Sequence, residues 1–421
     1  MYCQATFWVE ILKYFIMNGL YFMKRSFSLL SLCIGLSCAH FSCAPKEEAV
    51  KNVIYLIGDG MGFGAVSSLL LTEDSLTGFE KSAVVGFSET SSANNYVTDS
   101  PAGGTALACG VRTSNGRIGV DINGVPLESV LVKAQKMGKK SGIVVNTTLT
   151  EATPAAFYAH VFDRSRGFEI ADHFVKSGVD VAIGSGLSAF INRPDSVDHT
   201  ATLINNGYDV YLTWPEVLSS KSEKFVGILP MDAVHRKNKS SVRAGAADGA
   251  EVCLAAKLAA ESGLQGSDSS VVDAGKEPEL YLEKAVAKAL NLLHNKGKKD
   301  GFFLMIESAI IDGYGHNNDS EGMIAEMQEF DRTLQFLVKY VDKYPNTLLV
   351  VTADHETGGT CVAYNEHTPG VKDTVKLSFK TKGHTGTVVP VFAYGAGARY
   401  FGGVMKNTDI PWRLELLMKR D

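Results

Sequence analysis

From Lys51 onward the chain alternates short β-branched and aliphatic runs with runs of helical period. Few folds accept that rhythm. Strands separated by helices need crossover connections, and these build a mainly parallel sheet covered on both faces. Residues 52–57, 141–146, 180–184, 301–306 and 347–352 read as buried strands, 209–211 and 225–227 as shorter ones, and 388–394 as the last. Residues 129–137 read as a helix, and 279–294 as another with Leu282, Val286, Ala289 and Leu293 on one face. Met323, Met327, Phe330, Leu334, Leu337 and Val341 alternate by four and three along a long helix over 321–343. The expected architecture is a doubly wound α/β/α sandwich around a large, mainly parallel central sheet. Hydrophobic content of 45% and 21% charged residues suit a globular chain. No Lys/Arg cluster offers a surface to nucleic acid.

Residues 1–43 read as a leader. Met23-Lys24-Arg25 is a basic start, residues 27–36 are apolar, and small residues precede cysteine at Ser37-Cys38 and Ser42-Cys43. The apolar part is too short to span a bilayer, and a membrane helix over 7–22 would bury Glu10 and Lys13. The expectation is translation from Met23, export, and a lipid anchor on Cys43 with residues 44–50 as tether; plain secretion is the alternative. The protein would then be periplasmic, or a membrane-anchored lipoprotein facing the periplasm or cell surface. Removing three basic residues and one acidic residue with the leader takes the formal charge from −5 to about −7. Cys109, Cys253 and Cys361 remain, without CxxC spacing, and are expected as small buried hydrophobes.

The chemistry gathers where strands end. Asp59 follows the first strand within Gly58-Asp59-Gly60, and Glu151 and Thr153 follow 141–146. Glu307 follows 301–306, with Asp312 and His316 at i, i+4 beyond it, and Asp354 and His355 follow 347–352. His384 precedes the strand at 388–394. Carboxyl ends of parallel strands share one edge, so residues distant in sequence can converge there. Imidazole with carboxylate suits zinc, whereas carboxylate with hydroxyl suits magnesium. Ser100 is expected as the N-cap of a helix begun by Pro101 and stopped at Gly110, a place that accepts an anion such as phosphate. Thr153 is expected to cap a helix begun by Pro154, with Arg164 near that helix's end. A serine that only caps, and an Asp-His pair that is only structural, are the plainer readings of each piece alone. His199 and His235 lack partners at ligand spacing and are expected on the surface. Residues 237–273, helical over 249–262, are expected as an insertion or lid within a variable region at about 186–278.

The stretches IGDGMG (57–62), VTDS (97–100), ATPAAFYAHVFDR (152–164), MIESAIID (305–312) with His316, TADH (352–355) and GHTG (383–386) resemble the alkaline phosphatase family in order and spacing. The resemblance covers the chain from about Lys51 to its end, making 51–421 the expected catalytic domain. It implies a hydrolase of phosphate monoesters that holds two zinc ions and one magnesium, works through a phosphoserine on Ser100, and can form a homodimer. Asp312, His316 and His384 would hold one zinc; Asp59, Asp354 and His355 the second, beside Ser100. Asp59, Thr153 and Glu307 would hold magnesium, with Glu151 reaching it through water. Arg164 would clamp two phosphate oxygens through its planar fork. Two zincs about 4 Å apart stabilise the attacking and leaving oxygens of an in-line displacement. Glu151 stands where many bacterial relatives have aspartate, and Gly313 where lysine or histidine is common. The alternatives are a phosphodiesterase of the same superfamily, or a non-catalytic surface lipoprotein binding metal or phosphate. A sulfatase is excluded, because Ser100-Pro101-Ala102-Gly103-Gly104 lacks the Cys/Ser-x-Pro-x-Arg sequence.

Overall fold

Strand β1 (Asn52–Gly58) is buried along its whole length, and its alternate side chains enter two different cores. Val53, Tyr55 and Ile57 pack into one; Ile54 and Leu56 pack into the other. A strand covered on both faces needs an apolar residue at every position, which is why this run shows no polar alternation. The computed structural model describes residues 49–234, 281–297, 299–364 and 374–419. The expected leader, most of the tether, residues 237–273, His235 and Cys253 lie outside them.

Thirteen further strands are described: β2 (Val84–Glu89), β3 (Lys140–Thr148), β4 (Val181–Ser185), β5 (Asp209–Tyr211), β6 (Phe225–Ile228), β7 (Phe302–Ser308), β8 (Thr347–Thr352), β9 (Glu356–Thr357), β10 (Cys361–Val362), β11 (Leu377–Ser378), β12 (His384–Thr385), β13 (Val389–Gly395) and β14 (Gly403–Lys406). Nine of them join β1 in one ten-stranded sheet, in the order β14-β2-β13-β8-β1-β7-β3-β4-β6-β5. Every pairing in it is parallel except those of β13, which runs against both β8 and β2. The helices Ser100–Cys109, Val130–Lys136, Gly167–Phe174 and Asp409–Met418 cover one face, contributing Leu107, Leu131, Phe174 and Leu414 to its core. Phe63–Thr72, Tyr281–Lys296 and Ser320–Lys343 cover the other. The six apolar residues of the long helix are all buried, as their spacing predicts. The doubly wound α/β/α architecture is the one expected. Among the described residues, no helix is long and apolar enough to cross a membrane.

Three expectations need correction. The strand at 389–395 is not the last, because the four-residue β14 follows it at the sheet edge. His199 is buried rather than on the surface, its Nε2 lying 2.6 Å from Asp172 Oδ1. Its partner lies 27 residues away, beyond any ligand spacing. Cys109 is buried as expected, but Cys361 is exposed on the two-stranded β10–β11 ribbon.

Candidate active site

Strands β8, β1, β7 and β3 are neighbours at the middle of the sheet, and their carboxyl ends deliver the acidic residues to one place. Asp59 follows β1, Glu151 and Thr153 follow β3, and Asp354 and His355 follow β8. Glu307 is the sixth residue of β7 itself. Gly60 turns the chain after Asp59 with φ of +72°. A Cβ there would lie 2.8 Å from Asp312 Cα, so only glycine lets this turn touch the helix Ile310–Asn317. His384 arrives by another route. It sits on β12, paired with Thr357 of β9, just before β13. Because β13 is reversed, its beginning lies at the same edge as the carboxyl ends of its neighbours.

The three histidines present the same nitrogen to the site. His316 Nδ1 donates to the Lys382 carbonyl at 2.5 Å and His384 Nδ1 to the Thr98 carbonyl at 3.0 Å. Thr357 Oγ1 donates to Asp312 Oδ1 at 2.5 Å, so it accepts from His355 Nδ1 at 3.2 Å. A carbonyl has no proton to give, and the Thr357 proton is already committed, so each ring carries its hydrogen on Nδ1. Every Nε2 is left with a lone pair facing inward, the arrangement of a metal-ready imidazole. His316 Nε2 lies 3.2 Å from Asp312 Oδ2 and 3.1 Å from His384 Nε2. His384 Nε2 lies 3.5 Å from Asp312 Oδ1. His355 Nε2 lies 3.4 Å from Asp59 Oδ1 and 3.2 Å from Asp354 Oδ2. The donor atoms of Asp59, Asp354 and His355 fall within 4.8 Å of one another, as do those of Asp312, His355 and His384.

Among the described residues, several of these oxygens lack a hydrogen-bond donor. Asp59 Oδ1, Asp354 Oδ2 and both oxygens of Glu307 are buried without a hydrogen bond of good geometry, as is Thr153 Oγ1. Buried acceptors normally find donors, and their absence here marks room for a cation. Burial first, then the charges of Asp354 and Asp312, raises Asp59 well above an ordinary carboxyl. Burial followed by Glu151 and Asp354 does the same to Glu307. Asp354 is pushed up to about 7 by burial, with Asp312 adding to it. Burial opposes ionisation of Asp312 as well, but the adjacent His316 and His355 rings and the hydrogen bond from Thr357 hold it below the usual range. Carboxylates and imidazole lone pairs so packed fit metal ions.

Ser100 stands at the centre of this edge, and the structure corrects its expected role. The N-cap of the Ser100–Cys109 helix is Asp99, whose Oδ1 accepts from the Ala102 N–H at 3.0 Å while Oδ2 accepts from the Gly116 N–H at 2.6 Å. Ser100 is the first helical residue and Pro101 the second, so the serine hydroxyl is free of capping. Its Oγ lies 3.2 Å from His355 Nε2. Gly104 brings the helix against the next ligand loop, since a Cβ there would stand 3.0 Å from Thr153 Cα. Thr153 is not a cap either: it lies inside the one-turn helix Ala152–Ala155, whose N-cap is Glu151. Arg164 comes after that helix, in a loop anchored by its N–H to the Gly116 carbonyl at 3.0 Å. Its guanidinium, opposed by burial but favoured by Glu151 and then Asp59, pairs with the Glu151 carboxylate. A cavity of about 300 Å³ opens in front of Ser100, lined by Asp59, Glu151, Arg164, Asp312, His316 and His384. All the site residues expected from the sequence therefore lie along one edge, most of them lining this cavity.

The family model for alkaline phosphatase matches residues 50–376. The chain belongs to the alkaline phosphatase family. It is 30% identical to alkaline phosphatase 4 of Bacillus subtilis over 448 aligned residues, covering 87% of this chain and 89% of that one. To the alkaline phosphatase of Escherichia coli it is 28% identical, over 87% of this chain and 85% of the other. The structure of the alkaline phosphatase from the Antarctic bacterium TAB5 superposes with a TM-score of 0.72 at 29% identity, covering 89% of this chain and 100% of that one. A variant of the TAB5 enzyme is described with magnesium in its M3 site. The present chain is a metal-binding phosphatase that hydrolyses phosphate monoesters.

Sequence reasoning missed Asp99 and Thr357, which orient the Ser100 helix and two of the candidate ligands. Thr357 had one signal: two residues after His355 in extended chain, it shares that residue's side. Asp99 was visible only as a second capping residue beside Ser100.

Proposed function

We propose that the chain hydrolyses phosphate monoesters by two in-line displacements at phosphorus, with Ser100 as nucleophile and a phosphoserine between them. In the first, the Ser100 Oγ–P bond forms as the bond from phosphorus to the ester oxygen breaks; in the second, water attacks and Ser100 leaves. The observation that carries this reading is the uncapped Ser100 hydroxyl beside His355 at the Asp59–Asp354–His355 cluster. Asp312, His316 and His384 would hold one zinc, Asp59, Asp354 and His355 a second, and Asp59, Thr153 and Glu307 one magnesium, with Glu151 close by. When bound, such ions lower the proton affinity of the serine hydroxyl and of water and neutralise charge on the departing oxygen. Arg164 orients the phosphate by donating two parallel hydrogen bonds, after exchanging its Glu151 contact for the substrate. His316, His355 and His384 direct their Nδ1 atoms to Lys382, Thr357 and Thr98, so their Nε2 atoms face the site.

Rapid acid quenching of a reaction with labelled substrate should trap phosphate on Ser100, and a chiral phosphate transferred to an alcohol should keep its configuration. Ser100→Ala should lose the trapped label and nearly all turnover while retaining its metals. Net inversion, or wild-type turnover by Ser100→Ala, would return Ser100 to a structural role. Activity on a diester exceeding that on the monoester would favour the phosphodiesterase alternative.

Residues 51–421 constitute the catalytic domain in this reading, and residues 1–43 an export leader, with a lipid anchor on Cys43. The Lys24-Arg25 start and apolar run support it. Cys43→Ser should release activity from the membrane fraction; a variant that still sediments with membranes refutes the anchor. The exposed apolar side chains of Val85, Phe87 and Val404 at the sheet edge support a homodimer, which sedimentation velocity would register as a doubled mass.

A further inference from the structure

Glu326 is a buried carboxyl that the reaction does not use. It lies on the Ser320–Lys343 helix and does not line the cavity. Its Oε1 accepts from two strands at once: from Asn146 Nδ2 of β3 at 2.8 Å and from Ser308 Oγ of β7 at 2.8 Å. Asn146 Oδ1 in turn accepts from the Ala309 N–H at 2.8 Å. The Ser308 carbonyl accepts from the Asp59 N–H at 3.0 Å. Residues 308 and 309 are thus held through side chain and main chain, with Glu307 immediately before them and Asp312 three residues beyond.

Glu307 needs such support. Both of its oxygens are buried without a hydrogen bond of good geometry, and Glu151 and Asp354 repel its charge. Apart from the Thr153 hydroxyl, which favours its charged form, its direction is set by the end of β7. Burying a carboxyl at position 326 is unfavourable, and its proton affinity is pushed up to about 7, burial first and Glu329 second. An apolar side chain of similar size would avoid that cost but leave the Asn146 amide and the Ser308 hydroxyl buried without their acceptor, so the carboxyl is best explained by what it holds.

We propose that Glu326 is a positioning residue which, through Ser308 and Asn146, fixes the end of β7 so that Glu307 and Asp59 present their oxygens to one magnesium ion. The proposal rests on the magnesium assignment made above. Residues that orient ligands from behind typically alter metal affinity by about tenfold to a hundredfold when removed.

The test uses the full chain with Mg²⁺ alone as probe. It reads magnesium retained after desalting and the Mg²⁺ concentration giving half of the rise in melting temperature. Glu326→Met should need at least about tenfold more Mg²⁺, whereas Glu326→Gln, which keeps a carbonyl acceptor, should stay within about twofold. Ser308→Ala removes one link with little loss of packing, and should shift the requirement several-fold even where Glu326→Met fails to fold. A lowered melting temperature in magnesium-free protein with an unchanged Mg²⁺ requirement in Ser308→Ala and Glu326→Met means a merely structural role and overturns the inference. So does a Gln variant as impaired as Met. Glu307→Gln separates the two levels. If it binds Mg²⁺ like the unchanged chain, the magnesium assignment falls and this inference with it. If it loses Mg²⁺ while the Glu326 variants keep theirs, only the inference falls.

Discussion

Arg164 shows how a single side chain can be read by its partner. Its side chain is 43% exposed, and the carboxylate it holds belongs to Glu151, itself 30% exposed. An ion pair so open to water contributes about 0–1 kcal/mol to folding. Its value must lie elsewhere, and the cavity in front of Ser100 is where its planar fork can meet two oxygens of a phosphate. Hydrogen bonds to a charged group are worth about 1.5–3 kcal/mol. Arg164→Ala should therefore weaken inhibition by inorganic phosphate by about tenfold to a hundredfold, with a change of at most a few degrees in melting temperature. Arg164→Lys should recover only part of that, since a point charge cannot bridge two oxygens. Inhibition constants for phosphate, measured alongside thermal melts, decide the matter. Unchanged inhibition with a sharply lowered melting temperature would make Arg164 structural.

At the scale of elements, legibility followed the strength of the periodic signal. The central strands and the long Ser320–Lys343 helix were readable because burial on both faces, or on one stripe, forces continuous or 3.6-periodic apolar residues. β2 and β14 were not: β14 is a four-residue edge strand with Val404 exposed, and β2 beside it leaves Val85 and Phe87 in water. The helix over Ser100–Cys109 was legible as an element, but its cap was displaced by one residue. Asp99 and Ser100 are both good caps, and the Gly116 N–H that recruits Asp99 is a contact 17 residues away that no local rule anticipates. The candidate ligands themselves were legible, since all but His384 stand at or just beyond a strand's carboxyl end, where an α/β sheet builds its site. Their supports were not. Thr357 acts on a residue 45 positions away, and Glu326 reaches back 180 to Asn146. Their partners are set by topology rather than by spacing. The same holds for His199, whose Asp172 partner is brought in by the packing of two neighbouring helices.

Taken as a whole, the fold concentrates negative charge at one edge, and that has a consequence for stability. Asp59, Glu307 and Asp354 all bind protons more tightly in the folded, metal-free chain than an ordinary carboxyl does, Asp354 up to about 7. An unfolded carboxyl titrates near pH 4. Between that value and the raised ones, the folded state holds more protons than the unfolded state, so stability must fall as pH rises. Below pH 4 both states are protonated and the penalty vanishes; above the folded values it is fully present. Asp312 has the opposite sign, but its effect is confined to pH below about 4, where it is the one carboxyl of this cluster that loses stability on acidification. His316, raised chiefly by Asp312, adds to the fall with rising pH, while His355, lowered by burial and then by His384, opposes it. Binding metal reverses the balance, because its ligands must be unprotonated and the bound state alone is stabilised. Chelated protein should therefore melt at progressively lower temperature from about pH 5 to about pH 8, whereas protein loaded with zinc and magnesium should melt higher over the same range. The gap between the two curves should widen with pH. Activity should vanish on chelation and return more fully with both metals than with either, because the two kinds of donor set differ in softness. The decisive measurement is the pair of melting curves. If the chelated protein gains stability with rising pH, or the loaded protein follows the same slope, the clustered carboxylates are not the cation site that their burial implies.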